Sequence, residues 1–167
     1  AQAEDVDPEW LKQAMAVITD EYRHVVIHTA AGIYERELQS MEFANDLLFI
    51  AATEVPSVRG LRRRLEALEA SSLSGPERQV LLNRANAKTG LSKSDIEGTV
   101  GMKAEFAIPE SRAVTTGTNT GQPIVAGNPR EPAGRALLDV VDTFEPSSSP
   151  SQIDTPISWF SRRKDVA

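Results

Sequence analysis

Short, continuous runs of apolar residues alternate along the chain with segments in which apolar residues recur at helical spacing. The uninterrupted runs lie at residues 25–27 and 47–52, and two similar segments, residues 80–83 and 104–108, contain one polar residue each, Asn83 and Glu105. A short run without polar interruptions is typical of a strand that is covered on both faces, as in a parallel sheet. The pattern therefore predicts four buried strands that are separated by helices.

The intervening segments carry the start signals and the spacing of amphipathic helices. We predict helices over residues 7–21, 35–44, 56–70, 92–101 and 112–118, and a last helix that ends near residue 144. The third helix has an apolar stripe made of Val58, Leu61, Leu65 and Leu68. Such a stripe packs a helix against a core. Ser92 and Asp95 have the spacing of a capping box at the start of the fourth helix.

Strands that alternate with helices in this way predict right-handed crossovers and a doubly wound parallel sheet. We expect a single α/β domain over residues 1–145, with a partial sheet that lacks its first strands and is flanked by helices. Ligands of such sheets bind beyond the carboxyl ends of the strands. The residues at those ends are His28, Thr53, Glu54, Asn83, Arg84, Pro109 and Glu110.

The last part of the sequence differs in composition from the rest. From Glu145 onward Pro and Ser dominate, and we predict a flexible tail over residues 146–167. The tail ends in two aromatic residues and three cations, namely Trp159, Phe160, Arg162, Arg163 and Lys164. That composition suits a contact with an anionic membrane surface or a docking peptide. Plain disorder is the simpler alternative.

Composition narrows the possible functions. The 167 residues include 40% hydrophobic and 25% charged residues and carry a formal net charge of −6. An acidic chain is poorly suited to broad nucleic-acid binding, because that binding depends on neutralising phosphates. The sequence has no long apolar run and no cysteine, so we expect a cytoplasmic protein without disulfides.

Several common site motifs are absent from the sequence. It contains neither a G-x-S-x-G nucleophile motif nor a G-x-x-x-x-G-K-[ST] phosphate loop. Its two histidines, His24 and His28, have no cysteine with which to form a zinc site. We therefore predict no catalytic residue and no metal site in this chain.

A set of short motifs nevertheless occurs in a specific order. They lie at residues 22–32, 54–59, 82–84, 90–97, 107–109, 112–114, 121–123 and 129–137. In this order and spacing the sequence resembles the C-terminal half of the MinD/ParA superfamily of P-loop ATPases. Within that superfamily it is most similar to the CpaE/TadZ proteins, which localise the assembly machinery of tight-adherence pili.

The resemblance implies roles for individual residues. His28 aligns with the family's acidic residue that acts on magnesium through water, and Thr29 to Gly32 align with the second switch. Asn83 with Arg84 matches the Asn-Arg pair whose asparagine recognises adenine. Pro109 with Glu110 matches the loop on the other side of the base. The phosphate-gripping half of the family's site has no counterpart in this sequence.

These implied roles have structural alternatives. His28 is either a degenerate magnesium-site position or a histidine held at a strand end. Asn83 either recognises adenine or terminates a strand by bonding local backbone. The arginines of the third helix are Arg59, Arg62, Arg63 and Arg64, and they either contact a partner or DNA or form a solvated face. Because a phosphate loop supplies most of the grip on a triphosphate, we predict that calorimetry detects no ATP binding by the chain alone.

Three functional hypotheses follow. The first is a localisation or scaffold protein for pilus or secretion machinery, which forms homodimers and contacts assembly proteins. In this hypothesis ATP and Mg²⁺ bind only to the complete protein, and the tail contacts the inner membrane or the cell pole. In the second hypothesis, the chain is the second half of an active ATPase of the septum-site or partition class. The third is an α/β interaction domain without a nucleotide.

Overall fold

The computed structural model describes residues 8–29, 32, 35–71, 73 and 75–144. The helices and strands of these residues are α1 (Pro8–Glu21), α2 (Glu35–Met41), β1 (Asp46–Ala52), α3 (Val55–Ala70), β2 (Glu77–Asn83), α4 (Lys93–Val100), β3 (Phe106–Ile108), α5 (Arg112–Thr120), α6 (Ile124–Gly127) and α7 (Pro132–Phe144). This alternation confirms the predicted α/β fold.

The strands of the described residues form one parallel sheet in the order β1-β2-β3. Helix α3 connects β1 to β2, and α4 connects β2 to β3, so both connections are crossovers. Ala52 lies opposite Asn83, and Asn83 lies opposite Ile108. The strands therefore end level with one another, and their carboxyl ends share one edge of the sheet, as predicted.

One face of the sheet is covered by α3 and α4. The core on this face consists of Ala51, Val58, Leu61, Leu65, Val80, Leu82, Ile96, Val100 and Ala104. The stripe predicted on α3 is confirmed, because all four of its residues are buried. The alternation of apolar and charged residues in this helix thus follows from its position between the sheet and solvent.

The opposite face is covered mainly by α6 and α7. Its core consists of Leu81, Ile108, Ile124, Ala133 and Val140. The rings of Phe106 and Phe144 meet there with centroids 6.3 Å apart, so the end of α7 packs on β3. Because both faces of β2 are covered, its residues 79–82 are all buried. This explains the uninterrupted apolar run that predicted the strand.

The capping box predicted at the start of α4 is present. The hydroxyl of Ser92 accepts a hydrogen bond from the backbone N–H of Asp95, and the carboxylate of Asp95 accepts one from the backbone N–H of Ser92. The helix ends at Gly101, whose φ of 81° places it in the left-handed region. Both ends of α4 therefore follow from local sequence signals.

Strand β3 is shorter than predicted, since it begins at Phe106 rather than at Ala104. At the start of β3, two carboxylates accept hydrogen bonds from backbone N–H groups that would otherwise need a carbonyl of a neighbouring strand. Glu105 Oε2 accepts the backbone N–H of Val80 at 2.8 Å, and Glu97 Oε1 accepts the backbone N–H of Ala104 at 2.9 Å. The N–H groups are thus satisfied by side chains, so the ladder stops early.

The strand predicted at residues 25–27 is wrong. Residues 24–29 have no regular secondary structure, and Val26 is 94% exposed. Within the described residues β1 pairs only with β2, and its other edge has no partner strand. A β-strand needs a neighbour for its backbone hydrogen bonds, and this segment has none in the described sheet.

Two helices also differ from their predictions. Helix α2 ends at Met41 instead of Ala44, where the sequence continues into a turn before β1. After α5 the chain forms the short helix α6, which the sequence pattern did not indicate. Four residues are too few to display a helical period, so only packing of Ile124 into the core reveals this element.

The predicted tail lies outside the described residues, as do Trp159, Phe160, Arg162, Arg163 and Lys164. Among the helices that the structure describes, none combines the length and the apolar character needed to cross a bilayer.

Candidate functional site

The shared carboxyl edge of the sheet brings together most of the residues predicted as a site. Asn83 is the last residue of β2, and Pro109 directly follows β3. Thr53 occupies the corresponding position after β1. Because the three strands end level, the predicted pairs Asn83 with Arg84 and Pro109 with Glu110 lie on neighbouring strand ends.

Asn83 makes a local contact at this edge. Its side-chain oxygen accepts a hydrogen bond of 3.0 Å from the backbone N–H of Arg84. This is the bond expected from an asparagine that terminates a strand. The side chain is exposed, and its amide nitrogen takes part in no hydrogen bond within the described residues. The amide donor at the end of β2 therefore remains open to solvent.

Arg84 has an unusual backbone conformation. Its φ of 55° lies in the left-handed region, and no other non-glycine residue of the described chain has a positive φ. Its carbonyl accepts a hydrogen bond of 3.1 Å from the hydroxyl of Thr53 and one of 2.9 Å from the N–H of Ala87. A left-handed non-glycine residue costs on the order of 1–3 kcal/mol, so these bonds hold a strained turn.

A second set of hydrogen bonds joins the turn after β2 to the loop after β3. Ala85 N–H donates to the carbonyl of Ile108 at 2.9 Å, and Glu110 N–H donates to Asn86 Oδ1 at 2.6 Å. Sequence reasoning missed the roles of Thr53 and Asn86. Thr53 was identified only by its position after a strand, and no local pattern distinguishes Asn86 from any other turn asparagine.

The structure supports the other three predicted site residues less well than it supports those at the ends of β2 and β3. His28 is exposed, and Thr29 and Gly32 are partly buried. The prediction that His28 ends a paired strand is wrong, since the preceding residues form no strand. Within the described residues no hydrogen bond or ion pair joins His28, Thr29 or Gly32 to the ends of β2 and β3.

Side-chain contacts join the start of α7 to the segment that follows Glu110. The hydroxyl of Ser111 donates to the carboxylate of Glu131, and this bond is the main reason why the pKa of Glu131 is lowered. The same carboxylate accepts the backbone N–H of Ala133 at 2.8 Å. Glu131 thus joins the start of α5 to the start of α7, and its carboxylate caps the first turn of α7.

The arginines of α3 include one with clear structural contacts. Arg62 Nε lies 2.7 Å from Glu66 Oε1, and its Nη1 donates to the carbonyl of Thr99 at 2.8 Å. The first contact is the i,i+4 pair of a solvated helix face, and the second caps the last turn of α4. These contacts favour the structural interpretation of Arg62, while Arg59 and Arg63 are exposed.

The carboxyl edge offers groups that can form hydrogen bonds to a ligand. The described residues contain no group of three or more His, Asp or Glu side chains that could hold a metal ion. An exposed amide and the backbone of two loops can bond the edge of a planar heterocycle.

No protein-family profile matches the sequence. The septum site-determining protein MinD of Thermotoga maritima is 26% identical over 136 residues, which are 78% of this chain and 50% of that protein. The solved MinD cell division protein of Aquifex aeolicus is 26% identical with a TM-score of 0.72, and the match covers 88% of this chain and 64% of that one.

A further solved structure supports the fold alone. The ParA family ATPase of Chlorobium tepidum has a TM-score of 0.76 at 18% identity, and the match covers 84% of this chain and 60% of that one. A solved MinC:MinD complex of Aquifex aeolicus contains a chain that is 25% identical with a TM-score of 0.73. That match covers 88% of this chain and 62% of that one. The chain spans about half the length of the curated relatives it matches.

The parallel sheet, its crossovers and the residues at its carboxyl edge define an α/β fold of the P-loop ATPase type. The likeness in sequence and in structure supports homology to the MinD/ParA family. That part of the resemblance found in the sequence is thereby confirmed. The finer resemblance to CpaE/TadZ proteins and the correspondence to the C-terminal half of the family stay predictions.

Proposed function

We propose that the chain is part of a MinD/ParA-like protein that localises an assembly machinery, of the CpaE/TadZ type that acts in pilus or secretion systems. One observation carries the proposal: the chain has the residues that the resemblance assigns to the base, but it lacks the carboxylate that the resemblance assigns to magnesium. Asn83, Arg84, Pro109 and Glu110 stand together at the carboxyl edge, while a histidine, His28, stands where the resemblance requires a carboxylate. Such a protein acts through association more than through hydrolysis.

The described residues suit the adenine base of ATP better than its phosphates. The exposed amide of Asn83 and the loop at Pro109 suit the edge of an adenine base. The phosphates and Mg²⁺ are less well matched, since the sequence has no lysine-bearing glycine loop. A neutral imidazole at His28 is a poor substitute for a carboxylate, because Mg²⁺ prefers oxygen ligands. In this proposal ATP and Mg²⁺ bind only to the complete protein.

The open side of the sheet supports the proposal that the chain corresponds to the C-terminal half of a larger domain. Ile50 of β1 is 58% exposed although it lies in the middle of an apolar strand. Val26 and Ile27 are exposed in a segment whose sequence favours a strand. Within the described residues β1 also has an edge without a partner strand, and soluble domains normally cover both such edges and exposed apolar side chains.

The proposed partners are a second copy of the protein and components of the assembly machinery. A relative, MinD of Aquifex aeolicus, has been solved in complex with MinC, so a protein partner suits this type of fold. We further propose a cytoplasmic location at the membrane surface or cell pole, with the tail at Trp159 and Phe160 as the contact. Unchanged liposome sedimentation after deletion of residues 157–167 would exclude the membrane contact.

An active septum-site or partition ATPase is the second candidate. It is favoured by the names of the similar proteins, which are septum site-determining MinD proteins and a ParA family ATPase. The two candidates differ in the importance of hydrolysis. In the scaffold proposal His28 limits hydrolysis by the complete protein, whereas an active ATPase would hydrolyse ATP with His28 in place.

Two measurements test the proposal. Calorimetry of the 167-residue chain with ATP should give no binding in the micromolar range, because phosphate contacts are missing. In the complete protein, His28→Asp should raise the rate of ATP hydrolysis, whereas His24→Asp controls for the added charge. A rapid rate in the unaltered protein that His28→Asp leaves unchanged would support the septum-site or partition ATPase instead.

The cellular role needs a separate measurement. A fluorescent fusion of the complete protein should collect with the pilus or secretion machinery and lose that position when the machinery is deleted. Placement at mid-cell that depends on cell division, with no response to loss of the machinery, would contradict the pilus proposal. It would leave the MinD/ParA-like character of the chain intact.

A further inference from the structure

One side chain joins the two loops that flank the candidate base site. Asn86 Oδ1 accepts the backbone N–H of Glu110 at 2.6 Å, across 24 residues of sequence. Asn86 lies in the turn after β2, and Glu110 lies in the loop after β3. The bond continues the contact between Ala85 and Ile108 beyond the end of the sheet. It therefore extends the strand pairing into the loops by means of a side chain.

The turn that carries Asn86 is itself held from the other side. The carbonyl of Arg84 accepts hydrogen bonds from the Thr53 hydroxyl and from the Ala87 N–H. Thr53 is 3% exposed, so the donor is fixed inside the fold. Asn86 thus projects from a turn with restricted motion. The loop at Pro109 and Glu110 follows a strand of only 3 residues, and the N–H of Glu110 takes its acceptor from the turn after β2.

We propose that Asn86 is a positioning residue for purine-base recognition, which holds the Pro109–Glu110 loop at a set distance from the exposed amide of Asn83. The inference rests on the proposed function, because it concerns how the same base site is held in position. A loop that is already ordered loses less conformational freedom when a ligand binds. Asn86 contributes by fixing this loop and does not itself need to touch the base.

A purely structural role for Asn86 would require only that the turn and the loop stay folded. The positioning role requires in addition that the bond to Glu110 affects how the loop responds to a base. Asn86→Ala removes the acceptor, while Asn86→Asp keeps an acceptor oxygen at the same position. Asn119→Ala is a matched control, since Asn119 is exposed near the end of α5 and lies in neither loop.

The first measurement is amide hydrogen exchange of the 167-residue chain by NMR. In Asn86→Ala the exchange of the Glu110 amide should accelerate by about fivefold or more, as expected for loss of one hydrogen bond. The amide of Ala85 should change much less, because its acceptor is the carbonyl of Ile108. Asn86→Asp and Asn119→Ala should leave the Glu110 amide protected. An unchanged rate in Asn86→Ala would overturn the proposal.

The second measurement is a titration of the same proteins with millimolar adenosine, at which NMR detects contacts too weak for calorimetry. In the unaltered chain the amide signals of Arg84 and Glu110 should both shift. In Asn86→Ala the shift at Glu110 should fall severalfold, and Asn86→Asp should restore it. Equal adenosine responses in all variants, despite faster exchange in Asn86→Ala, would leave Asn86 with a structural role and overturn the positioning role.

The outcomes separate this inference from the proposed function. If adenosine shifts neither signal in the unaltered chain, the base site itself is wrong, and the positioning role falls with it. If adenosine shifts both signals and Asn86→Ala changes nothing, the base site stands and only the role of Asn86 is wrong.

Discussion

The hydroxyl of Thr53, just after β1, donates a hydrogen bond of 3.1 Å to the backbone carbonyl of Arg84, just after β2. Thr53 is 3% exposed, and Arg84 has a left-handed φ of 55°. A buried side chain at one strand end thus supports a strained backbone at the next. This relationship makes the carboxyl edge a connected unit instead of separate loops.

The contribution of this bond can be measured with Thr53→Val, which keeps the shape of the side chain and removes the hydroxyl. We expect a loss of about 1 kcal/mol in the free energy of unfolding, because the carbonyl of Arg84 loses one of its donors. Urea denaturation gives the value. Thr143→Val is the control, since its exposed hydroxyl bonds only the carbonyl of Asp139 in its own helix. Equal losses in the two variants would contradict a special role for Thr53.

Glycine is required at position 117 because the chain approaches closely there. A Cβ on Gly117 would lie 2.4 Å from the carbonyl oxygen of Gln122, which is backbone and cannot rotate away. We expect Gly117→Ala to destabilise the protein by about 1–3 kcal/mol, as overpacking does. The midpoint and slope of a urea transition provide the test.

The same substitution elsewhere should have the opposite sign. A Cβ on Gly98 in α4 would meet nothing within 4 Å, so Gly98→Ala should stabilise the helix by roughly 0.5–1 kcal/mol. If Gly117→Ala were as stable as the unaltered chain, the tight turn at the end of α5 would be wrong.

The central strand should tolerate truncation poorly. Leu82 is 1% exposed and packs in the core between the sheet and the helices α3 and α4. We expect Leu82→Ala to lower the free energy of unfolding by about 2–5 kcal/mol through lost burial and the cavity that remains. Val141→Ala, at a residue that is 51% exposed, should cost much less. Similar losses for both would contradict the covered position of β2.

The bond between Ser111 and Glu131 should make stability depend on pH. The Ser111 hydroxyl, the main cause, lowers the pKa of Glu131 in the folded state. A lowered pKa favours the folded state only while the carboxylate is charged, so the contribution is complete above the ordinary pKa of 4.5 and disappears as pH falls below it. The stability difference between the unaltered chain and Glu131→Gln should therefore shrink in acid.

Urea denaturation from pH 7 down to pH 3 measures that difference. In a Ser111→Ala background the effect of Glu131→Gln at neutral pH should be smaller, since the partner is gone. A difference that stays constant across the pH range would mean that Glu131 does not act through its charge.

Local signals in the sequence were sufficient for several elements. The stripe of α3 was predicted from its period, and Leu61 and Leu65 are buried as a result. The capping box of Ser92 and Asp95 was predicted from residues three apart, because its bonds involve only neighbouring backbone. The candidate site at Asn83 and Pro109 was likewise predicted, since both follow apolar runs and parallel strands end at one edge.

The strand at residues 25–27 shows the limit of such signals. Val25, Val26 and Ile27 have strong β propensity, yet the described segment is not a strand, because pairing depends on a neighbour that propensity does not supply. The hydrogen bond from Glu110 to Asn86 was equally out of reach, since 24 residues separate its partners.

The sequence by itself determined the α/β character, the positions of the paired strands and of the helices other than α6, and the residues that follow each strand. These properties depend on periodicity and on caps, which act within a few residues. Only the tertiary structure decided the early stop of β3, the unpaired state of residues 24–29 and the contacts of Thr53 and Asn86. Those depend on which backbone groups find partners from distant parts of the chain, and that is settled by packing.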